Sequence, residues 1–252
     1  MTDATLLTML GLGLVLGLRH ALDPDHVAAV STIVSESTGV PERAARLGWW
    51  KSIRRSSLVG TFWGLGHTVA LLLAGIFVIA LKFQISPRLA LWMEFIVALM
   101  LILLGTRSLL KSVRDFKVHV HRHSHDGTEH VHVHVHRPGE QHRHRHRHLI
   151  KLGARPFFIG LVHGMAGSGA LTILVLATIP SALAGLVYVA VFGLGSIGGM
   201  FLMSALISLP FVLTGKRFSV FSQALQMMVG LFSLTFGLFL VWQYGFRDGL
   251  LF

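Results

Sequence analysis

Residues Leu6–Val34 read L-L-T-M-L-G-L-G-L-V-L-G-L-R-H-A-L-D-P-D-H-V-A-A-V-S-T-I-V, and this stretch decides what kind of protein the chain is. It is apolar for longer than the roughly 20 residues a helix needs to cross a hydrocarbon layer about 30 Å thick. Its middle nevertheless holds His20, Asp23, Asp25 and His26. A carboxylate at the centre of a membrane helix costs about 2.5–3.5 kcal/mol on insertion scales. Two of them need partners or a cation, and should face the interior of a helix bundle. A helix cap at the interface with an ion pair to Arg19 is the alternative for the two acids, but it leaves both histidines without a role.

Pro24 shapes the middle of this stretch. On an unbroken helix His20 and His26 would point in different directions. Proline cannot donate to the carbonyl four residues back, and it pushes the preceding residue out of the helical region. The pattern predicts a helix that breaks and restarts, with Asp23 as N-cap, Pro24 first, and Asp25 and His26 in the first turn. Two imidazoles, a carboxylate and a freed carbonyl then approach one point. Mixed nitrogen and oxygen donors suit nickel, cobalt, zinc or copper better than magnesium or calcium.

Further apolar blocks follow at Leu58–Leu81, Leu89–Leu110, Pro156–Ile179, Leu183–Leu209 and Phe221–Tyr244. They are continuous rather than alternating, which predicts helices and not a closed barrel. The expected fold is an all-α polytopic membrane protein with six transmembrane helices. Only 13% of the residues are charged, where a soluble chain has about a quarter. There is no cysteine, so disulfides and thiolate metal sites are excluded. No basic region precedes the first apolar run, which predicts a retained span rather than a cleaved signal.

Lysine and arginine orient the bundle. Seventeen fall in segments 35–57, 111–155 and near Lys216, against Lys82, Arg88 and Arg247 on the alternate side. The excess marks the cytoplasmic side, so both termini are expected outside and the long central loop inside. The net charge of +11 then reflects topology in a lipid bilayer, and no nucleic-acid partner is expected.

That loop holds twelve histidines between His119 and His148. A dense histidine tract reads as metal binding; an inert solvated linker is the alternative. With little apolar mass to bury, the metal-free loop is expected to be disordered. It divides the chain into a first membrane repeat (1–110), a cytoplasmic loop (111–155) and a second membrane repeat (156–252).

The halves resemble each other. G-L-R-H-A-L around His20 matches G-L-V-H-G-M around His163, W-G-L-G-H-T matches F-G-L-G-S-I, and Gly105 falls on Gly237 when the third helices are aligned. Three helices per copy force the second to run in the opposite sense. A 3+3 inverted repeat places a transporter's substrate near the midplane where the halves meet, here between His20 and His163. His67 and His163 taken singly are weaker signals, since a lone membrane histidine is often a hydrogen bond to a neighbouring helix. Glu94 is either an interfacial acid or part of a pathway, and Arg107 is expected to snorkel.

These residues resemble the nickel/cobalt transporter family. Its H-x-x-x-x-D-H hallmark is matched by His20, Asp25 and His26, and its L-G-H-[ST] motif by Leu65 to Thr68. D-P-D-H-V-A-A-V-S-T and H-G-M-A-G-S look like the six-helix urease-accessory nickel permease branch. Aspartate-bearing motifs of larger members have no acidic counterpart at Met165 to Ser168 or Gly195 to Met200. The resemblance implies transport of nickel or cobalt and no enzymatic activity or prosthetic group. Uptake is the preferred direction and export the alternative. Delivery to cytoplasmic nickel-enzyme maturation proteins is a further expectation. His20, Asp25 and His26 are the expected ligands, with Asp23 and His67 supporting and His163 opposing. A haem-binding electron carrier and a non-transporting metal store are the rival readings.

Overall fold

A computed structural model describes residues 3–38, 48–81, 86–115, 118–125, 128–135, 149–166, 181–214 and 219–251. Helix α1 spans Asp3–His20 and α2 Pro24–Thr38; α3 is Trp49–Leu81 and α4 Pro87–Asp115. Strands β1 (Val118–His125) and β2 (Thr128–Val135) follow, then α5 (Leu149–Gly164), α6 (Ala182–Thr214) and α7 (Ser219–Trp242), which runs into a π-helical turn at Gln243–Arg247.

Among the described residues four helices, α3, α4, α6 and α7 with its π-helical turn, are long and apolar enough to cross a membrane. Their outward leucines are widely exposed, Leu103 at 68% and Leu213 at 74%. Lipid tails are as apolar as leucine, so such faces belong in a bilayer. The other two expected spans fall on shorter helices. Leu6–Val34 is divided into α1 and α2 at Ala21–Asp23, where Pro24 breaks the hydrogen-bond ladder. Pro156–Ile179 is described only as far as Ala166, and α5 within it begins earlier, at Leu149; residues 167–180, with the Gly167 and Ser168 of H-G-M-A-G-S, lie outside the described residues.

Helix α3 also starts sooner than its apolar block. Gly48, at φ 75°, sets the start, and its carbonyl accepts from the Ser52 N–H at 3.1 Å. Lys51, Arg54 and Arg55 therefore ride on the first turns of α3. At 1.5 Å per residue its 33 residues reach about 50 Å, well beyond the hydrocarbon layer.

Helices α3 and α6 pack along each other; α1 lies on α6, α5 on α3, and α4 against α7. Helix α2 sits among them, touching α3, α4, α6 and α7. Glycine brings the backbones together: a Cβ at Gly17 would overlap the Phe192 carbonyl, and one at Gly195 the Leu14 carbonyl. Gly66 meets the Phe157 carbonyl and Gly160 that of Trp63 in the same way. This is the small-residue packing that membrane helices use in place of a hydrophobic driving force. Trp63, Val34, Leu101 and Met200 fill the centre with no more than a trace of exposure.

The expectation of a disordered loop is corrected for residues 118–125 and 128–135, which pair as an antiparallel ribbon. Its register sets His119 opposite His134, His121 opposite His132 and His123 opposite His130. Alternating valine and histidine has the period of a strand, and β-branched valine favours one. The loop's histidines from His136 to His148 lie outside the described residues.

Candidate metal centre

The break at Pro24 builds the site. Leu22 N–H donates to the Arg19 carbonyl and Asp23 N–H to that of His20, at 2.8 and 3.1 Å, closing α1. Val27 N–H donates to the Asp23 carbonyl at 2.9 Å, opening α2 with Asp23 as cap and Pro24 in first place. The fold-back sets the rings of His20 and His26 4.2 Å apart, edge to face. His67 arrives from the middle of α3 and His163 from the end of α5. The His163 ring lies 4.3 Å from that of His26, and the His67 ring 5.1 Å from those of His20 and His26.

All four imidazoles are buried: His20 is 5% exposed, His26 1%, His67 0% and His163 2%. Trp63 and Phe192 wall them, Trp63 against His26 and His163, Phe192 against His20. Two carboxylates hold the rings. His20 Nδ1 donates to Asp23 Oδ2 at 2.7 Å and His26 Nδ1 to Asp25 Oδ1 at 3.0 Å. His163 Nε2 donates to Asp25 Oδ2 at 3.1 Å. With its Nδ1 donating, His20 accepts at Nε2 from His67 Nε2, 3.1 Å away.

Three buried ring nitrogens have no hydrogen-bond partner: His26 Nε2, His67 Nδ1 and His163 Nδ1. Buried polar atoms are nearly always satisfied, and an orphaned imidazole lone pair such as that of His26 Nε2 is what a bound cation would engage. Among the described residues two donor groups have the spacing to hold one, His20 with His26 and His67, and Asp25 with His26 and His163. The closeness within the second group comes from hydrogen bonds among its own members. Within the first, His20 and His67 share a hydrogen bond and the His26 ring packs against both.

All six residues singled out from the sequence therefore meet around one place. Asp23 does so at its edge, 45% exposed and outside both donor groups. Glu94 lies outside them too: the Tyr244 hydroxyl, on the π-helical turn, hydrogen-bonds its carboxyl, which lies in the field of Asp25 and His163. Thr68 Oγ1 donates to the Gly193 carbonyl at 3.2 Å, tying α3 to α6 beside His67. Trp63 escaped the sequence reading although it stands one helical turn before His67. Phe192 carried no comparable signal, since its partner comes from another helix.

The chain matches a family model described as NicO, high-affinity nickel-transport protein, over residues 6–242. It is 36% identical over 250 residues to the urease accessory protein UreH of Bacillus sp. (strain TB-90), a match covering 99% of this chain and 97% of that protein. No solved structure matches it.

Proposed function

The chain belongs to the NicO family of high-affinity nickel-transport proteins, and from that premise we propose that it carries nickel, with cobalt as a second cargo, across the cytoplasmic membrane. The observation that carries this reading is the meeting of four buried histidines and Asp25, brought by α1, α2, α3 and α5. A family of transport proteins supplies no reason to look for enzymatic chemistry there.

His20, His26 and His67 supply nitrogen ligands, with Asp25 and His163 completing the set and Asp23 orienting His20. Two nitrogens each about 2.1 Å from one ion, at right angles, stand about 3 Å apart. The His20 and His67 Nε2 atoms, at 3.1 Å, already have that separation. A cation engaging both displaces the shared proton, and the unpartnered Nδ1 of His67 is placed to take it. Nitrogen and oxygen donors without sulfur fit nickel and cobalt among divalent ions.

Transport proceeds by alternating access of two inverted three-helix repeats. Pairing His20 with His163, His67 with Ser196 and Gly105 with Gly237 carries three of the close approaches onto counterparts. Gly17 on Phe192 becomes Gly160 on Trp63, Gly195 on Leu14 becomes Gly66 on Phe157, and Gly105 on Gly230 becomes Gly237 on Ala98. This recurrence supports a twofold relation between the halves, with the site at their junction. The termini face outward and residues 111–155 face the cytoplasm, where the histidine loop collects metal and hands it to nickel-enzyme maturation proteins. Uptake is the direction this arrangement serves.

Cells carrying the protein without residues 119–148 test the reading. Their total nickel is expected to rise above that of cells lacking the gene. A fall would mean export, and no change would favour a store that depends on the loop. Asp23→Asn removes the charge from the group that orients His20. Loss of such an outer partner weakens metal sites about 10- to 100-fold, so half-saturation of nickel uptake should move up by that order. An unchanged half-saturation would remove Asp23 from the site.

A further inference from the structure

The most buried acid among the described residues is not in the histidine cluster. It is Glu36, 8% exposed, near the end of α2. Asp25 and Glu36 lie three turns apart on one face of that helix, about 16 Å along its axis. Between them Ala28, Ala29, Thr32 and Ser35 are all fully buried.

Both acids are occupied by basic side chains of the same neighbour, α5. His163 donates to Asp25 at 3.1 Å, and Arg155 Nη1 donates to Glu36 Oε2 at 2.6 Å. From α4, Arg107 Nε stands 3.7 Å from Glu36 Oε1, and Lys111 Nζ donates to the Glu36 carbonyl at 3.0 Å. Oε1 itself takes no hydrogen bond. The two guanidinium groups are not confined. Arg155 is 40% exposed and Arg107 63%.

We propose that Glu36 is a second transit site for the divalent cation, at the cytoplasmic end of α2, and that Arg155 is the resident cation that fills it between passages. The inference rests on the transport reading above. A buried carboxylate must always face some positive charge. An arriving metal ion can take that role when the Arg155 side chain, 40% exposed, swings aside. The alternative is a fixed tie between α2 and α5 that the ion never touches. Transit sites must hold an ion weakly enough to release it, and a single carboxylate, lacking imidazole, is the weaker donor set of the two on α2.

The test uses the full chain with nickel alone as probe. Equilibrium dialysis of purified protein compares Arg155→Gln with the double variant Arg155→Gln/Glu36→Gln, the loop being the same in both. The first is expected to bind an additional nickel ion, because its Glu36 has lost the arginine; equal binding overturns the proposal. Nickel flux should fall by about ten-fold or more in the double variant at equal membrane amount, whereas Glu36→Asp should keep most of it. Full flux without the Glu36 carboxylate shows a fixed tie and overturns the proposal. Failure of the wild type to move nickel at all would instead sink the transport reading.

Discussion

Cells carrying His26→Ala in the loop-deleted protein are expected to hold no more nickel than cells lacking the gene, with the variant still present in the membrane. His26 is shared by both donor groups and is 1% exposed. Its Nε2 has no partner, while its Nδ1 is turned by Asp25. Deleting it leaves His20 with His67 on one side and Asp25 with His163 on the other, with nothing in common. Loss of an outer hydrogen-bond partner alone costs such sites about 10- to 100-fold in affinity; loss of the central ligand should exceed that. Insertion should survive, since an alanine is easier to place in a membrane than an imidazole. Elemental analysis of cells beside an immunoblot of their membranes reads both quantities. Wild-type nickel content in the variant would end the assignment of this site.

Gly160→Leu should remove the folded protein altogether. A Cβ at Gly160 overlaps the Trp63 carbonyl and approaches its ring. No side-chain rotation relieves an overlap with backbone, so α5 has to leave α3. His163 then moves off the cluster and Arg155 off Glu36. Overpacking a core costs about 1–3 kcal/mol, occasionally more, and a backbone collision under a fully buried tryptophan belongs at the upper end. Little or no protein should be extracted from membranes in monodisperse form. Gly11→Ala is the control: nothing lies within 4 Å of a Cβ there, and normal recovery is expected. Normal recovery of Gly160→Leu would contradict the close packing of α3 and α5.

What could be read in the sequence was what one helix decides for itself. The restart after Asp23 follows from Pro24 and its immediate neighbours, and the structure places the break there. His67 and His163 were visible as polar residues in apolar helices. Their meeting with His20 and His26 depends on α3 and α5 crossing through Gly66 and Gly160, which no local pattern states. Glu36 carried no signal of its own, since it follows the apolar run Leu6–Val34. Its partners, Arg107 and Arg155, are far along the chain. Helix α3 begins before its apolar block because Lys51, Arg54 and Arg55 lower the hydropathy without breaking the helix. The ribbon was missed for a different reason. Low apolar content suggested disorder, while the strict alternation of V-H-V-H had the period of a strand in plain view.

The central claim is that this histidine cluster passes nickel through a membrane. Purified loop-deleted protein in liposomes enclosing a nickel-sensitive dye tests it most directly. Nickel added outside should reach the dye faster than in protein-free liposomes, and His26→Ala should return the rate to that of the empty vesicles. Equal rates for wild type and empty vesicles under an imposed ion gradient of either direction would contradict the account.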